Sequence, residues 1–290
     1  ALPQYGLSQA DVLYEAPAEG GITRLMPIFQ DYSGLDKIGS VRSCRHYYAY
    51  YAMEFDAIYI HYGQAIYATE LLESGKVEDL NGLEGAIDSA TFYRDKSRKA
   101  PHNAFVSTDG IDAGIELKGY DTELPSDYTG HYQFNEDDEK EIELTDGADA
   151  AVVQPGYYIN NPWFVYNSED GLYYRFQYKK EHMDENTGTQ LAFKNILLQY
   201  CDYTKLDDAH GYLDVESTGE GTGKYITNGK VIDVTWKKAS ENEPTRYYDA
   251  SGNEITLNQG KTMVCVLLND MEKKLNIYAT EDEFTPPSAK

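Results

Sequence analysis

The strongest candidate site in the sequence is a group of basic residues just ahead of a predicted helix. Arg42, Ser43 and Arg45 precede a segment that begins near His46 and keeps a helical spacing of aromatic residues up to Phe55. The first turn of a helix presents free amide donors and a partial positive charge, so it favours a bound anion. Guanidinium groups add paired donors that suit a carboxylate or a phosphate. The pattern therefore predicts a binding site for an anionic group.

Two predicted strands place further residues near these arginines. Residues 22–29 form one short apolar run and residues 56–61 a second, one on each side of the helix. A βαβ unit built in this way brings the start of the helix and the end of the second strand to the edge where open sheets bind ligands. His61 is therefore expected beside the arginines, and Arg24 in the wall of the same site.

A second basic run lies farther along the chain. Residues 94–103 read Arg-Asp-Lys-Ser-Arg-Lys-Ala-Pro-His-Asn, which is unusual in so acidic a protein. In the functional interpretation this loop completes the site, and in the structural one its charges neutralise acidic neighbours. The predicted ligand-binding residues are Arg24, Arg42, Ser43, Arg45, His61, Arg94, His102 and Asn103.

The same residues allow two other interpretations. The arginines could form a buried ion-pair network, with Glu15 or Glu19 as the acidic partner of Arg45. A hydrolase or transferase could use His61 or His102 as its acid or base, with arginine stabilising the developing charge. The sequence leaves these alternatives open.

Cysteine offers one more candidate for chemistry. Cys44 lies between two arginines near a helix start, a position that can lower the pKa of a thiol and make it a nucleophile. The alternative is a small residue packed at the start of the helix. Together with Cys201 and Cys265 it follows neither a metal-ligand nor a disulfide spacing. All three are predicted to be reduced, packed thiols.

Composition excludes several classes of function. The 290 residues carry a formal net charge of -24, which argues against binding to nucleic acid or to anionic lipid. No apolar run approaches the ~18 residues of a membrane-spanning helix. The six histidines include no close pair suited to zinc, so no metal and no cofactor is predicted. Residues 219–225 lack the spacing of a phosphate-binding loop, and residues 221–223 are predicted as a plain loop before a strand.

The pattern of residues changes near the middle of the chain. Helices and strands alternate over residues 1–120, where residues 107–109 (Ser-Thr-Asp) predict the start of a helix that ends at Gly119. Residues 151–280 instead read as successive, mainly antiparallel strands joined by turns such as Asn228-Gly229. Between them, residues 121–150 are strongly acidic and are predicted as a solvated connection. Residues 281–290 form a tail. The predicted class is mixed α/β and α+β.

Ordered motifs along the chain resemble the YerB-like lipoprotein family. In the first half these are residues 6–11 (Gly-Leu-Ser-Gln-Ala-Asp), 19–24 (Glu-Gly-Gly-Ile-Thr-Arg), 41–43 and 94–103. In the second half they are residues 182–184, 187–188, 195–196, 228–236 and 260–262. The resemblance covers nearly the whole chain.

The resemblance implies a bacterial envelope protein with an intertwined, three-layer ββα arrangement, held by a lipidated cysteine upstream of Ala1. It implies no reaction. Abundant anion-binding chemistry favours a lipoprotein that binds an anionic small molecule or a cell-wall fragment, with tyrosines available to stack on sugars. An enzyme acting on an envelope substrate and a structural, partner-binding protein are the alternatives.

Overall fold

The computed structural model describes residues 2–126, 128, 130–137 and 140–287. Its α-helices are α1 (His46–Met53), α2 (Thr69–Glu73), α3 (Gly85–Thr91) and α4 (Thr108–Lys118). The first strands in chain order are β1 (Val12–Pro17), β2 (Thr23–Ile28), β3 (Ile38–Gly39), β4 (Tyr59–His61), β5 (Asp79–Asn81), β6 (Phe92–Arg94), β7 (Ala104–Val106), β8 (Gln133–Phe134), β9 (Ala148–Asp149) and β10 (Val152–Gln154).

The remaining strands fill the second half of the chain. They are β11 (Trp163–Asn167), β12 (Leu172–Gln177), β13 (Lys180–Glu181), β14 (Met183–Asp184), β15 (Thr189–Gln190), β16 (Ala192–Phe193), β17 (Asn195–Cys201), β18 (Tyr203–Lys205), β19 (Leu213–Val215), β20 (Gly219–Thr227), β21 (Lys230–Lys238), β22 (Arg246–Tyr248), β23 (Thr256–Leu257), β24 (Thr262–Leu268) and β25 (Asn276–Tyr278). The Asn228-Gly229 turn joins β20 to β21 as predicted, with positive φ at both residues.

The central layer is an eight-stranded sheet that mixes both halves of the chain. Its strand order is β2-β1-β24-β17-β20-β21-β22, and β9 pairs with β21. Strand β1 runs parallel to β24 and antiparallel to β2, so the N-terminal segment is built into the C-terminal sheet. Every residue of β1, β17 and β24 is buried, because other layers cover both faces of the sheet.

Alternate residues of β1 show what covers the two faces. Tyr14 packs against Tyr51 of α1, with ring centroids 4.9 Å apart. Glu15 points to the opposite face, where it accepts a 2.7 Å hydrogen bond from Arg175 of a six-stranded sheet. The order of that sheet is β13-β12-β11-β10-β25, and β16 pairs with β12. Because successive side chains of a strand point to opposite faces, helix and second sheet lie on opposite sides of the central layer. The predicted mixed class and its ββα layering are confirmed.

Smaller elements of the first half form a separate lobe. Strands β3, β7 and β6 form an antiparallel sheet, and β4 runs parallel to β5 across the connection that contains α2. Ser107 caps α4, since its side chain accepts a 3.2 Å hydrogen bond from the Gly110 amide, and Gly119 ends the helix in the left-handed conformation. The predicted start and end of this helix are confirmed.

The predicted βαβ unit around α1 is wrong. Its first strand, β2, lies at the edge of the central sheet, whereas its second, β4, pairs with β5 in the other lobe. The segments have the predicted strand character, but β2 finds its partner in β1, which precedes it in the chain. The βαβ connection that does form joins β4 to β5 through α2.

Two further predictions need correction. Residues 219–223 begin strand β20 rather than forming a loop. A Cβ atom on Gly221 would come within 2.5 Å of Trp236 Nε1 on the neighbouring strand, so only glycine leaves room for the indole ring here.

Residues 121–150 are mostly exposed, yet His131 is buried against Glu54 and β8 pairs with β23. Asp138 and Glu139 of this stretch, and residues 288–290 of the predicted tail, lie outside the described residues. The boundaries at 120 and 150 stay a prediction.

Candidate functional site

Arg45 is held by a carboxylate. It is the residue that precedes α1, and its guanidinium donates through Nε and Nη2 to the two carboxylate oxygens of Glu19, the second at 2.7 Å. Its Nη1 donates to the backbone oxygens of Cys44 and Ser43. Although burial raises the pKa of Glu19, the hydrogen bond and charge of Arg45 outweigh it and the net shift is downward. Arg45 therefore fits the ion-pair interpretation of the sequence, with Glu19 as its acidic partner.

Arg24 shares this carboxylate at longer range. Its Nη2 lies 3.6 Å from Glu19 Oε2, and its Nη1 donates to the backbone oxygen of Ser43. Arg24 stands on β2 and is partly buried. One carboxylate thus faces two arginines, and a positive charge is left over.

Arg42 adds a further positive charge to this cluster. Its Nη1 donates to the backbone oxygen of Pro101 at 3.2 Å and to Nδ1 of His102 at 2.5 Å. Within the described residues, no carboxylate forms an ion pair with it. Burial and then the charges of Arg24 and Arg45 lower the pKa of Arg42. Arg42 is therefore a half-buried cation among cations.

The basic loop reaches the cluster through Pro101 and His102. Burial and the charge of Arg42 lower the pKa of His102, so a neutral imidazole accepts the arginine's hydrogen bond. Arg94 instead stacks over the ring of Tyr62 at 4.1 Å and donates to Asn103 Oδ1 at 2.9 Å. The loop therefore contacts Arg42, whereas Arg94 and Asn103, two of its predicted ligand-binding residues, are hydrogen-bonded to each other.

His61 and Cys44 are structural in this arrangement. His61 is fully buried, with Nε2 2.9 Å from Asp79 Oδ2 and Nδ1 2.8 Å from the backbone oxygen of Gly63. Burial raises the pKa of the Cys44 thiol to about 12, which removes the thiolate that a nucleophile needs. All three cysteines are free and buried, as predicted.

A large cavity lies directly beside the cluster. It has a volume of about 1750 Å³, and Arg24, Arg42 and Ser43 line it. Among the described residues that line it, neither Arg45 nor His61 is found. Of the eight predicted ligand-binding residues, the structure therefore brings Arg24, Arg42 and Ser43 to one cavity, and His102 contacts Arg42.

Sequence reasoning missed other residues that face this space. Ser40 lines the cavity, and its hydroxyl is buried without a hydrogen-bond partner in the described part of the chain. Gln259 and Lys261 reach the cavity from the C-terminal half, where Lys261 donates to the backbone oxygen of Ser8. Ser40 stands two residues before Arg42, so its position is the only local signal; the other two come together with the site through the fold alone.

These features define a two-part protein whose halves share one sheet and flank one cavity. Residues 1–121 match the family model described as "Protein of unknown function (DUF3048) N-terminal domain", and residues 153–264 match the C-terminal domain of the same family. The chain belongs to this family, and the resemblance found in its sequence is confirmed.

Similar proteins carry the YerB name. "Putative lipoprotein YerB" of Bacillus subtilis (strain 168) is 33% identical over 245 residues, which is 83% of this chain and 70% of that protein. The crystal structure of the YerB protein from Bacillus subtilis has a TM-score of 0.81 at 29% identity, covering 96% of this chain and 89% of the other. In the described residues, helices are too short or too polar to cross a membrane.

Proposed function

We propose that this protein is a lipid-anchored protein of the bacterial envelope that binds an anionic small molecule or cell-wall fragment at Arg24, Arg42 and Ser43. The location is supported by the lipoprotein name of the relative. The binding rests on one observation, which is that Arg42 lines a large cavity without a carboxylate partner in the described part of the chain.

The charge balance supports an anionic ligand. Burial and the nearby charges of Arg24 and Arg45 lower the pKa of Arg42. Glu19 is the carboxylate that pairs with Arg24 and Arg45. A cation that is partly removed from water is unfavourable unless an anion compensates it. An anion in the cavity would do so while the net charge of -24 elsewhere repels competing binding.

Catalysis by a histidine is not part of the proposal. His61 is enclosed between Asp79 and Gly63, and His102 accepts from Arg42 on the side of the basic loop. Neither arrangement offers a nucleophile beside a base.

Thermal melting with added salts tests the anion site. Wild type and Arg42→Met are melted in phosphate or sulfate, with chloride at equal ionic strength as the reference. A charge-assisted hydrogen bond is worth about 1.5–3 kcal/mol, so the substitution should weaken anion binding by roughly 10- to 150-fold. Lys237→Met removes the same charge from an exposed side chain and should leave binding unchanged. If no anion stabilises wild type more than chloride does, the site binds no anion.

The location has its own test. The full-length precursor is expressed with a fatty-acid analogue, and membrane and soluble fractions are compared for label. A labelled, membrane-bound product is expected. An unlabelled precursor in the cytosol would contradict the envelope assignment.

A further inference from the structure

The cavity separates two hydrophobic clusters that do not merge. On one side Leu25 and Ile28 of β2 belong to the main core, and on the other Ile58 and Ile60 belong to the cluster of the smaller lobe. All four side chains are only partly buried and line the cavity. Protein interiors are normally close-packed, with a single contiguous core per domain. The gap of about 1750 Å³ exceeds the roughly 300–1,000 Å³ of ordinary ligand pockets, so it has room for an extended ligand.

One end of this apolar space is positive. The backbone oxygen of Arg42 accepts a 3.0 Å hydrogen bond from the amide of Tyr62, directly after β4. Arg24, which donates to Ser43, begins the opposite wall along β2. Both walls therefore start at the arginine cluster and lead away from it.

The other end is negative. Asp56 and Glu78 lie at the beginnings of β4 and β5, where the Tyr59 amide donates to the backbone oxygen of Glu78 at 2.8 Å. Asp121 lines the cavity with them, and all three carboxylates are exposed at the rim. Burial, followed by the charges of Asp56 and Asp121, raises the pKa of Glu78, which places the three acids near one another. Because the chain takes only six steps from Asp56 to Tyr62, the backbones of these two residues lie at most about 20 Å apart.

We propose that the cavity holds an elongated, single-chain amphiphile whose anionic head contacts Arg24 and Arg42 and whose apolar chain lies between β2 and β4. The proposal rests on the anion site and adds the class of ligand. The charges favour this orientation, because a head group at the far end would meet Asp56, Glu78 and Asp121, whereas Lys261, the cation at that end of β2, already donates to the backbone oxygen of Ser8. Ser40 supplies a buried hydroxyl beside the head group.

A peptide added to the edge of β2 fits less well. Pro27 stands within that edge strand and offers no amide donor, which is how proteins commonly protect a sheet edge from pairing. An alkyl chain needs no backbone donors. The apolar walls and the interrupted edge thus favour a hydrocarbon over a strand.

Calorimetric titration with a series of ligands tests the proposal on the wild-type protein. The probes are inorganic phosphate and butyl, octyl and dodecyl phosphate below their micelle concentrations, with dodecanoate to compare a carboxylate head. Burying one methylene is worth at most about 0.8 kcal/mol, or about fourfold in affinity. Octyl phosphate should therefore bind roughly 10- to 250-fold more tightly than butyl phosphate. Octanedioate should bind more weakly than octanoate, because its second carboxylate would have to leave water within the apolar part of the cavity.

Variants assign the effect to the two parts of the site. Ile58→Gln should reduce the gain from octyl over butyl phosphate at least threefold and leave binding of inorganic phosphate unchanged, whereas Ile66→Gln, at an isoleucine that is 74% exposed, should change neither. Arg42→Met should weaken all phosphates alike. Melting curves verify that each variant is folded, and the wild-type series stands if Ile58→Gln is not.

Three results would overturn the proposal, and they differ in what else they reject. Binding of phosphate without dependence on chain length rejects the amphiphile and keeps the anion site. Equal binding of octyl phosphate and octanol, insensitive to Arg42→Met, rejects both. Absence of binding by every probe also rejects both.

Discussion

Two arginines of this protein make the same contact in opposite environments. Arg175 and Arg42 each place Nη1 at Nδ1 of a histidine, His182 and His102 respectively. Arg175 is fully buried and also pairs with Glu15, whose carboxylate accepts from Asn160 as well. Arg42 is half-buried and faces a cavity. The ion pair of Arg175 and Glu15 joins two layers of the fold. Arg42, which has no carboxylate partner among the described residues, marks where an anionic ligand is expected.

The largest expected effect is on the buried pair. Arg175→Met leaves the Glu15 carboxylate in the core without its cation, which should lower the free energy of unfolding by about 3–5 kcal/mol. Urea unfolding followed by circular dichroism measures the change. If Arg175→Met and Arg42→Met lower the free energy of unfolding equally, the ion-paired arginine and the cavity-facing arginine do not differ in their contribution to the fold.

Arg45 should lie between these extremes. Its bidentate contact with Glu19 is partly buried, so Arg45→Met should cost about 1–3 kcal/mol of unfolding free energy. A double-mutant cycle with Glu19→Gln isolates the pair, and a coupling energy above about 1 kcal/mol is expected. Additive single effects would instead show that the pair with Glu19 does not stabilise the fold.

Acid should lower the free energy of unfolding through the buried histidines. Burial lowers the pKa of His131 and of His182, whereas in the unfolded chain histidine gains its proton near pH 6.5. The unfolded state then binds more protons as pH falls. The stability present above pH 6.5 should therefore be lost progressively as the pH falls below it.

Urea midpoints between pH 8 and pH 5 measure this loss. His182→Gln should flatten the profile, and His210→Gln, at an exposed histidine, serves as the control. A wild-type profile that stays level to pH 5 would show that the buried histidines take up protons at the same pH in the folded and the unfolded protein.

The smallest effect on stability is expected at Arg42. Its side chain contacts the Pro101 carbonyl and His102 at the cavity, so Arg42→Met should change the unfolding free energy by less than about 1 kcal/mol. Thermal melts without added anions provide the value. A loss above about 3 kcal/mol would place Arg42 with Arg175 as a residue that holds the fold.

Local sequence signals predicted the elements well and their partners poorly. Ser107, Gly119 and the Asn228-Gly229 turn act through neighbouring backbone, so a helix and a hairpin follow from them directly. The strand β2 was equally visible, yet its pairing with β1 was not, because pairing depends on what the rest of the chain offers. Strand β1 itself carries Glu15, and a buried charge in a central strand makes sense only once Arg175 lies opposite.

For the candidate site the division is similar. The sequence by itself determined that Arg42, Ser43 and Arg45 cluster beside a helix start, since they are adjacent in the chain, and motif order determined the family. Only the tertiary structure decided that Glu19 holds Arg45, that Asp79 holds His61, and that Arg42 is left facing a cavity. Each choice joins side chains far apart in sequence, and the free energy that selects them comes from burial and charge pairing across layers, which no local pattern contains.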